Sequence, residues 1–86
     1  MTTNQVKDIV LKILGEVAPE ADLSSIKPDV PVRDQLDIDS VDYLNLMVGL
    51  HKELGVEIPE SDYPKMSTLE GCVDYLVPLT NQSGTD

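Results

Sequence analysis

A short acidic stretch around one serine stands before the strongest helical pattern in the chain, and it reads Gln35-Leu36-Asp37-Ile38-Asp39-Ser40-Val41-Asp42. Asp39 or Ser40 can cap a helix here, because each side chain offers an oxygen to the first free backbone N–H groups. Asp42 then places negative charge where the helix dipole favours it. The stretch therefore predicts a helix over residues 40–54, with Gly55 as the residue that ends it.

Apolar side chains cover more than one face of this predicted helix. The main stripe consists of Val41, Leu44, Met47, Val48 and Leu54. Three further residues widen it, and these are Tyr43, Leu46 and Leu50. Such a helix either lies deep in a bundle or presents part of its surface to a ligand or partner. The pattern alone leaves both alternatives open.

The rest of the chain predicts two more long helices joined by proline-rich connections. Apolar periodicity predicts a helix over residues 3–17 and a last helix that starts near Leu69 and is stopped by Pro78. Residues 18–38 carry three prolines and predict a long first loop, with room for a helical turn near its middle. Residues 56–66 carry two prolines and allow one short helix.

These segments predict an all-α fold, a small bundle of three main helices plus one short helix with a long first loop. We assign residues 1–79 to a single domain and residues 80–86 to a flexible polar tail. A chain of 86 residues has little room for the deep cleft of an independent enzyme. Its size favours a carrier, binding or interaction module.

The charge balance limits the classes of partner that the chain can bind. Sixteen acidic residues oppose six basic ones, and a net charge of −10 disfavours nucleic acid and anionic membrane surfaces. No apolar run approaches the ~18 residues that a membrane span needs. Cys72 is the one cysteine, which excludes an internal disulfide and fits a reducing cytoplasm. The spacing after Asp37 and Asp39 fails the calcium-loop pattern, so we predict no dedicated metal site.

Ser40 allows two interpretations. Local physics favours a plain helix cap, since serine and aspartate are both preferred there. The alternative is modification, because a phosphoryl group on this hydroxyl would meet free backbone N–H groups. Asp37, Asp39 and Asp42 could help hold a Mg²⁺ ion that escorts a phosphate donor. The one histidine, His51, lies three helical turns away, so a base must come from a second protein.

The segment from Leu36 to Asp42 resembles the Asp-Ser-Leu attachment motif of acyl carrier proteins. The resemblance covers roughly residues 3–78. It extends to three further segments, which are Gly55-Val56-Glu57-Ile58-Pro59, Met66-Ser67-Thr68-Leu69 and Asp74-Tyr75-Leu76. Together with the helix order, the long first loop and the acidity, this resemblance favours modification of Ser40 over a plain cap.

The resemblance implies a non-catalytic acyl carrier, with residues 1–79 as its acyl-carrier-like domain. A phosphopantetheinyl transferase would attach 4′-phosphopantetheine from coenzyme A to Ser40, between the flanking motif residues Asp39 and Val41. The thiol of that arm, and not Cys72, would hold an acyl group as a thioester. Tethering raises the concentration of cargo at each partner enzyme.

The resemblance also implies two sets of contact residues on an expected monomer. Acyl-loading and acyl-transferring enzymes with basic docking surfaces would meet Asp37, Asp42, Asn45, Glu53 and Glu57. Candidates for an acyl pocket between the helices are Met47, Leu50, Ile58, Met66 and Cys72. Ordinary core packing is the competing interpretation for each member of this second set.

Departures from the family pattern predict a specialised carrier for a lipid or secondary-metabolite pathway. Val41 replaces the usual leucine, and Asn45 replaces a glutamate that commonly contacts basic partners. His51 and Lys52 stand where acidic residues are usual. The alternatives are a peptidyl or aminoacyl carrier, and an acidic helical adaptor in which Ser40 is only a helix cap.

Overall fold

The computed structural model describes the backbone of residues 2–84 and the side chains of residues 2–80. Four α-helices and two 3₁₀ segments follow one another, and no strand occurs among these residues. The α-helices are α1 (Thr3–Val17), α2 (Val32–Gln35), α3 (Ser40–Leu54) and α4 (Leu69–Gly84), and the 3₁₀ segments are Leu23–Ser25 and Glu60–Met66. The predicted all-α class is confirmed.

Helices α1 and α3 occupy the predicted ranges because each begins at a reciprocal pair of capping hydrogen bonds. The Thr2 hydroxyl accepts from the Gln5 N–H, and the Gln5 side chain accepts from the Thr2 N–H. Asp39 and Asp42 form the same arrangement at the start of α3. Gly55 ends α3 with a φ of 66°, a left-handed conformation that glycine adopts without strain.

The core is aliphatic and lies where α1 packs against both α3 and α4. Its fully buried side chains are Val6, Val10, Leu14, Val32, Leu46, Met47, Leu50, Met66, Cys72 and Leu76. Helices α1 and α3 approach closely at Gly49, where a Cβ atom would lie 2.7 Å from Ile13 Cγ2. No helix within residues 2–84 combines the length and apolar character that a membrane crossing requires.

The apolar stripe predicted for α3 is only partly right. Leu46 and Leu50, which widened that stripe, are fully buried. Val41, Leu44 and Val48, which belonged to its centre, are 64%, 46% and 40% exposed. The core therefore uses a face of α3 rotated from the predicted one, and an apolar strip remains at the surface.

The long first loop contains more structure than its prolines suggested. The 3₁₀ turn Leu23–Ser25 lies in the middle of the loop, as predicted, but α2 was not predicted. Gln35 fastens α2 to the loop, since its side chain bonds both backbone groups of Lys27 and the carbonyl of Val30. The Val32 N–H also donates to the carbonyl of Ser67 at 2.8 Å, which ties α2 to the short link that precedes α4.

The prediction that Pro78 stops the last helix is wrong. Helix α4 continues through Pro78 to Gly84, although proline lacks the N–H that a helix interior uses. Pro78 is solvent-exposed, while Leu76 and Thr80 on either side are buried. Packing of these neighbours offsets the lost hydrogen bond. The predicted boundary after residue 79 thus falls inside a helix. The mobility predicted for residues 80–86 stays a prediction, and residues 85–86 lie outside the described part.

Candidate functional site

Ser40 is the first residue of α3, and its side chain is exposed. The helix cap is the preceding residue, because Asp39 Oδ1 accepts a hydrogen bond of 2.9 Å from the Asp42 N–H. Asp42 Oδ2 in turn accepts from the Asp39 N–H. The hydroxyl of Ser40 therefore has no capping role. This geometry argues against the interpretation of Ser40 as only a helix cap.

The contact partner of Ser40 is an arginine that the sequence interpretation missed. Arg33 Nη2 on α2 donates a hydrogen bond of 3.1 Å to Ser40 Oγ. The Arg33 guanidinium also lies over the ring of Tyr43, 5.9 Å from its centroid. A signal was available, since Arg33 is the single arginine of the chain and precedes Ser40 by seven residues. Its approach depends on α2, which was not predicted.

Two tyrosines build the wall beside Arg33. The rings of Tyr43 and Tyr63 meet edge to face with centroids 6.4 Å apart. The Tyr43 hydroxyl donates a hydrogen bond of 2.8 Å to the Tyr63 carbonyl, which fixes the ring under the guanidinium. Burial raises the pKa of Tyr43 to about 12, so this hydroxyl stays a neutral donor at physiological pH.

A pocket of about 300 Å³ opens beside these rings. It is lined by Pro31, Arg33, Tyr43, Tyr63, Pro64 and Ser67. Arg33 both lines this pocket and contacts Ser40, which is not itself a lining residue. The site thus combines an exposed hydroxyl, a neighbouring cation and a largely apolar recess that the same cation lines.

The residues predicted for an acyl pocket lie between the helices and not beside Ser40, and their acyl-binding role stays a prediction. Met47, Leu50, Met66 and Cys72 are buried in the core, Ile58 is half-buried, and none of the five lines the pocket beside Ser40. Burial raises the pKa of the Cys72 thiol to about 12, and its Sγ donates to the Met66 carbonyl. Cys72 is therefore protonated and shielded, as expected of an inert core residue.

The residues predicted to contact partners are distributed along α3 and its two flanking loops. Asp37, Asn45 and Glu57 are exposed and have no side-chain hydrogen bond or ion pair within the described side chains. Glu53 pairs with Lys12 of α1 at 2.8 Å, and Asp42 belongs to the capping pair.

No group of three or more metal-binding side chains occurs among the described residues. Asp39 and Asp42, two of the three carboxylates considered for Mg²⁺, are occupied by the capping hydrogen bonds. The histidine His51 contacts the carbonyl of Val56 through Nδ1 at the far end of α3. Since Arg33 has no acceptor atom, the described contacts of Ser40 provide no base for its proton.

Comparisons with known proteins agree on one family. The family model described as a phosphopantetheine attachment site matches residues 4–76. An acyl carrier protein of Chlorobium phaeobacteroides is 36% identical over 78 residues, which cover 90% of this chain and 97% of that protein. One from Rubrobacter xylanophilus is 31% identical over 83% of this chain and 91% of its own length.

A solved structure points to the same family. The chain resembles the acyl carrier protein from Enterococcus faecalis with a TM-score of 0.76 and 28% identity, over 92% of this chain and 99% of that one. The chain therefore belongs to the acyl carrier protein family. Its members are carriers and not enzymes, and their domain receives 4′-phosphopantetheine covalently. They work with a phosphopantetheinyl transferase and with acyl-handling enzymes.

Proposed function

We propose that Ser40 is the attachment site and that the chain carries acyl groups on the arm attached there. The observation that supports this most strongly is that Asp39, and not Ser40, caps the start of α3. The Ser40 hydroxyl is therefore exposed and has no capping role, and its described hydrogen bond comes from Arg33. When bound, the prosthetic group supplies a thiol that holds the acyl group as a thioester.

The attachment step fits this geometry. Ser40 Oγ forms a bond to the phosphorus of the pantetheinyl phosphate, and the pyrophosphate bond of coenzyme A breaks. The adenosine bisphosphate leaves with the electron pair, and the serine proton goes to a base. Arg33 cannot accept that proton, so the base belongs to the transferase. An exposed serine at the end of a helix is open to an approaching enzyme.

The outer surface of α3 supplies a docking surface beside Ser40. Val41, Leu44 and Val48 are exposed apolar residues that begin one position after the serine. The acidic and polar side chains proposed to bind basic partners are Asp37, Asp42, Asn45, Glu53 and Glu57. Apolar contacts give a small patch most of its affinity, and surrounding charges set the encounter rate. Raising the salt concentration is expected to slow association.

The departures on α3 support a specialised carrier. Asn45 and Lys52 are exposed, and both make this helix less acidic than the family pattern. We propose dedicated loading enzymes from a lipid or secondary-metabolite pathway, and a monomer that acts in the cytoplasm. Poor extension of cargo on the loaded protein by a general fatty acid synthase supports this, and efficient extension contradicts it.

The names of the relatives favour acyl cargo over peptidyl or aminoacyl cargo, since they are called acyl carrier proteins. The adaptor alternative predicts that Ser40 is a cap, and the capping by Asp39 speaks against it.

Intact mass tests the attachment. The folded protein is incubated with coenzyme A, Mg²⁺ and a broad-specificity phosphopantetheinyl transferase. We expect a gain of one phosphopantetheinyl group, lost in Ser40→Ala and kept in the control Ser61→Ala, an exposed serine in the 3₁₀ helix. A wild-type protein that gains nothing, or a Ser40→Ala variant that still gains the group, contradicts the proposal.

A further inference from the structure

Arg33, the single arginine of a strongly acidic chain, contacts neutral groups and, among the described side chains, not a carboxylate. Sixteen carboxylates are available in the sequence, and Asp34, Asp37 and Asp39 are near neighbours of Arg33 or Ser40. Yet no carboxylate pairs with Arg33 within the described side chains. Its guanidinium instead donates to the hydroxyl of Ser40 and lies over the ring of Tyr43. A full positive charge is thus placed against a neutral acceptor.

The position of this charge is built from several contacts. Tyr43 supports the guanidinium face, and its own ring is held by the Tyr63 carbonyl and by the Tyr63 ring edge. Arg33 extends from α2, whose backbone is tied to Ser67 in the short link that precedes α4. Such support holds the guanidinium in place before any anion arrives, which lowers the entropy cost of binding one.

We propose that Arg33 is the binding residue for the phosphodiester that joins the arm to Ser40, an inference that rests on the proposed function. Esterification of Ser40 Oγ turns a neutral acceptor into the bridging oxygen of an anion, whose charged oxygens lie two bonds from it. The guanidinium already lies 3.1 Å from that oxygen and presents several N–H donors in one plane. A small shift brings two of them onto the charged oxygens.

The pocket gives this contact a consequence. Arg33 lines the recess formed with Pro31, Tyr43, Tyr63 and Pro64. A phosphodiester held by Arg33 therefore lies at the rim of a largely apolar space of about 300 Å³. The root of the arm is then held on this face of the protein, while its far end is free to reach partners.

Nuclear magnetic resonance provides a direct test, because one arginine gives one set of guanidinium signals. Spectra of protein with ¹⁵N-labelled arginine are recorded before and after loading, and loading is verified by intact mass. We expect the Arg33 guanidinium signals to shift on loading. We expect the ³¹P signal of the loaded protein to differ from that of free 4′-phosphopantetheine.

Two variants complete the test. Arg33→Gln removes the cation, and we expect it to lose most of the ³¹P displacement while circular dichroism keeps the helical signal. Lys52→Gln, an exposed cation on α3 near its far end, is the matched control and is expected to keep that displacement. Unchanged guanidinium signals on loading, or a wild-type ³¹P signal in loaded Arg33→Gln, overturn the role of Arg33 and leave the attachment intact. Absence of loading in the wild type overturns both.

Discussion

Helices α1 and α3 begin with the same kind of capping arrangement, but a different chemical group accepts the capping hydrogen bond in each. At the start of α1 a hydroxyl, that of Thr2, accepts the capping hydrogen bond. At the start of α3 a carboxylate, that of Asp39, accepts it, and the neighbouring hydroxyl of Ser40 is left exposed. Both ends satisfy free backbone N–H groups. Thr3, the first residue of α1, is exposed as well, so the difference lies in the carboxylate cap of α3 and in the hydrogen bond that Ser40 Oγ accepts from Arg33.

This comparison separates two tasks that a serine at a helix start can perform. A capping hydroxyl is engaged in a hydrogen bond to its own backbone, so its removal costs stability. A hydroxyl next to a capping carboxylate is available for chemistry, and its removal costs only that chemistry. The variants below test whether the tasks are divided in this way.

Removal of the carboxylate cap is expected to give the largest change in stability. Asp39→Ala deprives the Asp42 N–H of its acceptor, and we expect the free energy of unfolding to fall by about 1 kcal/mol. Urea unfolding followed by circular dichroism measures this change. Asp39→Asn retains an acceptor oxygen and is the control that keeps most of the stability. If Asp39→Ala left the free energy of unfolding unchanged, the cap would have to belong to another residue.

Thr2→Ala is expected to have a smaller effect. The hydroxyl bonds the Gln5 N–H at 3.2 Å at the exposed start of α1, where a lost cap lets the first turn fray. We expect a loss of about 0.5 kcal/mol, seen as faster amide exchange in the first turn of α1. Loading of Ser40 should be unaffected. Impaired loading in Thr2→Ala would contradict the independence of the two helix starts.

Tyr75→Phe tests a third hydroxyl and is expected to change stability least. The Tyr75 hydroxyl donates to Asp62 Oδ2, and this hydrogen bond, with help from Lys65, lowers the pKa of Asp62 below its ordinary value of 3.8. A lowered pKa in the folded state stabilises the protein above pH 3.8, and that contribution is lost as the pH falls through the folded-state pKa.

We therefore expect Tyr75→Phe to be slightly less stable than wild type at pH 7 and equally stable once Asp62 is protonated. Urea unfolding at pH 7, and at an acid pH where Asp62 is protonated, compares the stability of the variant with that of wild type. Asp62→Asn, which removes the charge at all pH values, should lose the same pH dependence. A Tyr75→Phe difference that persists unchanged in acid would assign the effect to packing.

Local signals explain which parts of the molecule were predictable from the sequence. The ranges of α1 and α3 and the end at Gly55 follow from caps and periodicity within a few residues. The motif around Ser40 predicts the attachment site through its resemblance to the acyl carrier family, and that assignment stays a prediction. Helix α2 was missed because four residues carry no periodicity, and its hydrogen bonds reach the distant Ser67.

Features that depend on packing between segments were not predictable. The exposure of Val41, Leu44 and Val48 depends on which face of α3 meets α1, and the apolar pattern alone allowed several faces. The continuation of α4 beyond Pro78 depends on burial of its neighbours. The contact between Arg33 and Ser40 needs the position of α2, so sequence spacing alone gave no geometry.

A paired measurement on Ser40→Ala tests the central claim most directly. The same preparation is assayed for the phosphopantetheinyl mass gain and for urea unfolding. The division of tasks predicts complete loss of the mass gain, with a change in unfolding free energy below about 0.5 kcal/mol. A Ser40→Ala variant that still takes up the group, or that loses as much stability as Asp39→Ala, would contradict it.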